Sequence, residues 1–365
     1  MKKPVRLILL LALISQFFCS CEKAEKAYLI PTTYDFENSN FSGQLQRLQM
    51  LTEIKQYLSA AKEQGVSLNP TRLRAMFVND TGSAAWQLVY EPSKQLKDKT
   101  LESQQPVFEA LMDAIATHSQ SGLPASEGQA GLLASLDGSR RYLLNEKGVE
   151  FAELIEKGLM GACFYYQATA VYLGEEKMNA DNETVEPGEG TAMEHHWDES
   201  FGYFGVPRDF PQNQDGLAFW GVYSSRRDDI LGCNRKMMDA FRKGRAAISN
   251  KDLAARDEAI GEVRANWELI SGATAISYIN TAIEDYGDIA LRAHALSEAI
   301  AFTYALQFNP GKKLSNTQVL EVLTLIGGSA DFFEMNLYQA QVSRLEQARS
   351  LLATELGLVA QMEEL

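Results

Sequence analysis

The sequence predicts an all-α fold, a multi-helix bundle. Three observations carry this. Apolar residues recur at three-to-four spacing over long segments, few alternating strand patterns appear, and the chain is large and apolar enough to bury a core. Its 365 residues are 45% hydrophobic and 22% charged, which excludes a disordered chain. With 26 glycines and 10 prolines, collagen-like and low-complexity classes are excluded too. The length allows one bundle or two packed helical bundles joined near residues 174–190.

The elements follow in order. Residues 1–21 read as a lipoprotein signal peptide, with basic Lys2, Lys3 and Arg6 before the apolar run Leu7 to Phe18. That run is too short to span a bilayer, which needs roughly 20 apolar residues. The run Phe18-Cys19-Ser20-Cys21 resembles a bacterial lipobox, although Phe18 stands where Leu is usual. Small Ser20 makes Cys21 the lipidated residue. Glu22, rather than Asp, favours the outer membrane, facing the periplasm or the exterior. Residues 22–43 read as a tether and residues 44–365 as the helical domain.

Within that domain, Leu48, Leu51, Ile54 and Leu58 mark an amphipathic helix stopped near Gly65. Asn69-Pro70 starts a second helix, and Pro106 to His118 reads as a third. Residues 79–103 are irregular. The Gly- and Ser-rich stretch 119–139 reads as a loop, and Arg141 to Leu144 as a short extended piece. Val149 to Tyr172 is a core helix weakened by Gly158 and Gly161. An acidic loop spans 174–190, a helix lies near 191–204, and Pro207 to Gly216 is a turn. Residues 234–248, 250–286, 288–308, 315–327 and 330–356 read as helices, with Ser315-Asn316-Thr317 as an N-cap cluster.

The formal charge is −14, and loss of Lys2, Lys3 and Arg6 with the signal makes it −17. Such a surface argues against nucleic acid as a partner. Cys163 and Cys233 are the other cysteines. An export compartment permits a disulfide, but Cys163 lies in an apolar run and reads as a buried hydrophobe. Thiol-redox, nucleophile-elbow and phosphate-loop motifs are missing. The loop at Asn179 to Glu183 lacks the Gly and the final Glu of a calcium loop.

Histidine is scarce, and three of the four histidines sit beside carboxylates at helical spacing. In Glu194-His195-His196-Trp197-Asp198-Glu199, His196 meets Glu199 at i+3 and His195 meets it at i+4. His294 meets Glu298 at i+4. Imidazole and carboxylate on one helix face are what an iron or zinc site needs, and two such helices face to face would supply four ligands. The candidate metal ligands are therefore His196, Glu199, His195, Asp198, His294 and Glu298. His118 ends a helix, where a cation offsets the dipole, and reads as structural.

The run Ala192-Met193-Glu194-His195-His196-Trp197-Asp198-Glu199-Ser200-Phe201-Gly202-Tyr203-Phe204-Gly205 resembles the signature of a lipoprotein family of unknown function from marine and gut bacteria. Arg292-Ala293-His294-Ala295-Leu296-Ser297-Glu298-Ala299 resembles its second motif. That family is similar to the imelysins, all-helical proteins once called insulin-cleaving membrane proteases. They carry Gly-x-His-x-x-Glu and are linked to iron uptake. His196 and Glu199 match the His-x-x-Glu part, while Glu194 stands in place of the Gly. The resemblance implies an imelysin-like fold and a role in iron or metal acquisition, with room for a periplasmic or outer-membrane protein partner. Two alternatives stand beside it. One is a metal-free surface binding or scaffold protein using the aromatics Trp197 to Phe204. The other is a metal-dependent peptidase, for which neither His-Glu-x-x-His nor its inverse is present.

Overall fold

The computed structural model describes residues 28–80, 90–91 and 93–365. The expected signal peptide, Glu22 and the expected lipidation residue Cys21 lie outside the described residues. The all-α expectation holds. Helices α1 (Ser42–Ser59), α2 (Pro70–Val78) and α3 (Gln105–His118) are followed by a two-stranded hairpin, β1 (Gly131–Ala134) and β2 (Arg141–Leu144). Helix α4 begins at Phe151–Leu159 and continues without a break through π-helical turns at Met160–Tyr165 and Gln167–Tyr172. Then come α5 (Glu175–Met178), α6 (Ala192–Gly202), α7 (Trp220–Leu231), α8 (Cys233–Ser249) and α9 (Leu253–Glu284). The chain closes with α10 (Ile289–Ala305), α11 (Asn316–Gly327) and α12 (Val342–Leu356). No described helix is long and apolar enough to cross a membrane.

Local chemistry sets the helix ends. Asn69 accepts a hydrogen bond from the Arg72 N–H, with Pro70 in the first turn of α2. Ser315 and Gln318 form a capping box on α11, and Thr191 and Glu194 form another on α6. Long α9 packs along α8, α10 and α12, while α4 lies against α1, α3 and α10. One apolar cluster runs from Tyr34 to Leu365 and takes in residues of every α-helix, with a smaller cluster of Ala125, Tyr142, Leu144, Ala290 and Ala293 at the hairpin. Gly158 and Gly161 let neighbours approach α4. A Cβ at Gly158 would sit 2.8 Å from the Phe108 ring, and one at Gly161 would sit 2.7 Å from the Ala305 Cβ.

Four expectations change. The tether ends early, because Tyr34 is fully buried and stacks on Phe201 at 3.7 Å. The stretch read as a loop at 119–139 contains β1, paired antiparallel with β2 through a turn at Asp137-Gly138. Helix α7 forms where no helix was expected, with a thin buried stripe at Trp220, Gly221, Tyr223 and Ser224. The segment 330–356 becomes α-helical only at Val342, after one 3-10 turn at Leu337–Gln339. Before it, Asp331 and Asn336 accept hydrogen bonds from the backbone two residues ahead and hold turns instead. Cys163 and Cys233 are both buried and free, and burial pushes the Cys163 thiol up to about 12.

Candidate metal centre

The six predicted ligands do not converge. They fall into two clusters at opposite ends of α4. His294 contacts Glu150, just before the first turn, and His196 lies over Tyr172, at the last. The helix between them covers about 30 Å at about 1.5 Å per residue, so no ion is shared by His294 and His196.

At the far end, α6 carries His195, His196 and Glu199. The Glu199 Oε2 lies 3.1 Å from His196 Nδ1 and 3.8 Å from His195 Nε2, and its Oε1 accepts from Gln44 at 2.9 Å. Burial opposes ionisation of Glu199, but His196, His195, Tyr172 and Gln44 outweigh it and hold the carboxyl below its usual range. The other His195 nitrogen, Nδ1, is 2.7 Å from Glu189. Asp198 does not join this group. On a helix it points a hundred degrees from its neighbours. It is fully buried, accepts from the Tyr34 hydroxyl at 2.7 Å and pairs with Arg245 at 3.0 Å. Burial pushes Asp198 up to about 6 against the pull of Arg245 and the Tyr34 hydroxyl. Glu194 caps α6 and pairs with the same Arg245 at 2.6 Å.

The near end is denser and more buried. Among the described residues, Glu150, Glu153 and His294 form the one His/Cys/Asp/Glu group whose ligand atoms all lie within 4.8 Å of one another. His294 Nδ1 is 2.7 Å from Glu150 and 3.8 Å from Glu153. Helix geometry explains both glutamates. Glu150 is the N-cap of α4 and Glu153 lies in its first turn, where the dipole favours negative charge. The Glu150 N–H donates to Ser297 Oγ of α10, which locks the two helices in register at this point. The Tyr142 ring of β2 stacks on His294 at 4.4 Å and holds the imidazole in place.

Two lysines complete the cluster. Lys62 bridges Glu150 at 3.0 Å and Glu153 at 3.7 Å. Lys157, buried within α4, contacts Glu153 at 2.6 Å, Glu156 at 3.0 Å and Glu298 at 3.1 Å. Burial disfavours the Lys157 ammonium, yet these carboxylates hold its pKa well above the usual lysine value. Glu153 and Glu298 share this lysine. Burial raises Glu298, while Lys157 and His294 hold Glu153 low. Glu298 is thus turned toward Lys157, and its Oε2 has no hydrogen-bond partner. A polar cavity of about 450 Å³ opens here, lined in part by Glu153, Glu156, Lys157, His294 and Glu298.

His–carboxylate spacing along the sequence does not reveal Glu150, Glu153, Lys157 or Lys62. The signal was present as Glu150-x-x-Glu153-x-x-Glu156-Lys157, four charges at helical spacing inside a segment read as core. Charges are seldom buried without partners, so a cluster of them in a core helix marks a site. His118 lies 3.6 Å from Glu146 at the end of α3, and burial lowers its pKa.

Fold and site together define an all-helical protein with a buried glutamate–lysine–histidine centre at the mouth of a polar cavity. The chain belongs to the family described as domain of unknown function DUF4856, whose model matches residues 31–348. Neither a curated protein nor a solved structure matches the chain.

Proposed function

We propose that this protein is a membrane-anchored lipoprotein that binds a metal ion, iron or zinc, in metal acquisition, and that the ion is held by Glu150, Glu153 and His294. The observation that carries the reading is the convergence of two carboxylates and one imidazole within 4.8 Å. Mixed oxygen and nitrogen ligation of this kind suits both metals. The Lys62 ammonium bridging the two carboxylates supports it further, because that position already holds positive charge. With its side chain 30% exposed, Lys62 can swing to solvent and yield the place to an ion. The lipobox-like Cys21 and the imelysin-like motifs support export to the outer membrane and the acquisition role.

Elemental mass spectrometry on the full chain in detergent tests this. Wild type is incubated with iron or zinc and desalted, beside Glu150→Gln/Glu153→Gln/His294→Asn and beside His196→Ala/Glu199→Ala. One ion per chain is expected in wild type and in the α6 variant, and none in the triple variant, with unchanged helical circular dichroism. Loss of metal in the α6 variant alone would move the site to the far end of α4. No metal in wild type would leave a structural ion network.

A further inference from the structure

His294 stands between two openings. One is the 450 Å³ cavity, and the other is an outer pocket of about 510 Å³ under the hairpin; Arg140 lines both. The charges around this space can be balanced. Glu63, Glu150, Glu153, Glu156, Asp285 and Glu298 supply the negative side. Lys55, Lys62, Lys157, Arg140, Arg141 and Arg226 supply the positive side. In their ionised forms the two sets cancel. With Lys62 swung to solvent, a divalent ion at the triad leaves one net positive charge without compensation in a partly buried place.

Resting on the metal reading above, we propose that the ion is taken together with a small hydroxylated di- or tricarboxylate seated in the cavity beside His294. Two observations fit that ligand. Arg140 and Arg226 are exposed on the lining of the cavity, one leaning on the Tyr142 hydroxyl and the other on the Tyr223 ring and Tyr278 hydroxyl. Both can turn to carboxylates, for which the guanidinium fork is suited. Deeper in, the Oε2 of Glu298, a residue only 4% exposed, has no hydrogen-bond partner, and a ligand hydroxyl can donate to it or accept from it. The volume lies within the usual range of small-molecule sites.

Equilibrium dialysis of the full chain in detergent tests this, with zinc chloride alone, zinc plus radiolabelled citrate, and citrate alone. Citrate is expected to be retained one for one with zinc, and only with zinc. Tricarballylate, which lacks the hydroxyl, is expected to bind at least about tenfold more weakly. Arg140→Ala/Arg226→Ala is expected to lose citrate and to keep zinc from the chloride. Citrate that strips zinc from wild type, or that binds equally without zinc, overturns the co-ligand and leaves the metal reading standing. No zinc retained in any arm overturns both.

Discussion

The two ends of α4 each present histidine beside glutamate, and they do so with different counterparts. At Tyr172 the hub is Glu199, with amide, phenol and imidazole groups around it and Glu189 on the other side of His195. At Glu150 several carboxylates are compensated by the cations Lys62 and Lys157. A carboxylate surrounded by amide, phenol and imidazole groups, with no lysine among them, is an anchor that orients its neighbours. Carboxylates held apart by ammonium groups are a place where positive charge can be exchanged. Residue type and spacing are similar at the two ends, so the counter-groups separate the roles.

The largest break in this comparison is Lys157→Met. It leaves Glu153, Glu156 and Glu298 buried around a neutral side chain, at a cost on the order of 3–5 kcal/mol in denaturant unfolding. Lys55→Met removes only the half-exposed partner of Glu156 and should cost within about 1 kcal/mol.

On α6 the comparison sharpens with pH. The native Asp198 pKa, about 6, lies above the ordinary value near 3.9. Between these values the folded state binds the extra proton. The Asp198 contribution to stability therefore falls as pH rises from about 4 to about 6, by up to about 3 kcal/mol, and then levels. Glu199 runs the other way. Its lowered pKa stabilises the fold above the ordinary glutamate value, and that contribution is lost as pH falls through the native value. Asp198→Asn should make the fall between pH 4 and 6 shallower, leave the fall toward pH 8 that the raised Glu298 carboxyl causes, and spare the acid limb, as read from unfolding midpoints across pH. An unchanged slope between pH 4 and 6 would assign that part to another group.

Smaller effects follow from packing and caps. Gly244→Ala places a Cβ 2.0 Å from the Trp197 ring, so α6 must shift from α8, at about 1–3 kcal/mol. Asn69→Ala removes the α2 cap and should cost about 1 kcal/mol. Thermal denaturation ranks both, and a cap effect larger than the Gly244 effect would contradict the packing account.

Much of the fold was legible in local chemistry. The caps at Asn69 and Ser315, the core helix from residue 149 and the family of helices after residue 233 follow from spacing and capping residues that act within one or two turns. The hairpin was legible too, in Asp137-Gly138 between Leu132-Leu133 and Tyr142-Leu143, but the Gly and Ser content of the stretch masked it. On α6, helical spacing gave the contacts of His195 and His196 with Glu199. Helical spacing could not reveal that Asp198 turns inward to Arg245, 47 residues away. It also could not show that Glu298 faces Lys157, or that His294 pairs with Glu150 across 144 residues.

The sequence by itself therefore determined the all-α class, most helix boundaries and the presence of His–carboxylate chemistry, because those depend on interactions between residues a few positions apart. Only the tertiary structure decided which end of α4 gathers a compact group of two carboxylates and an imidazole. That choice depends on the packing of α10 and the hairpin against the first turn of α4, where helix dipole, Ser297 and two lysines make several buried glutamates tolerable at once.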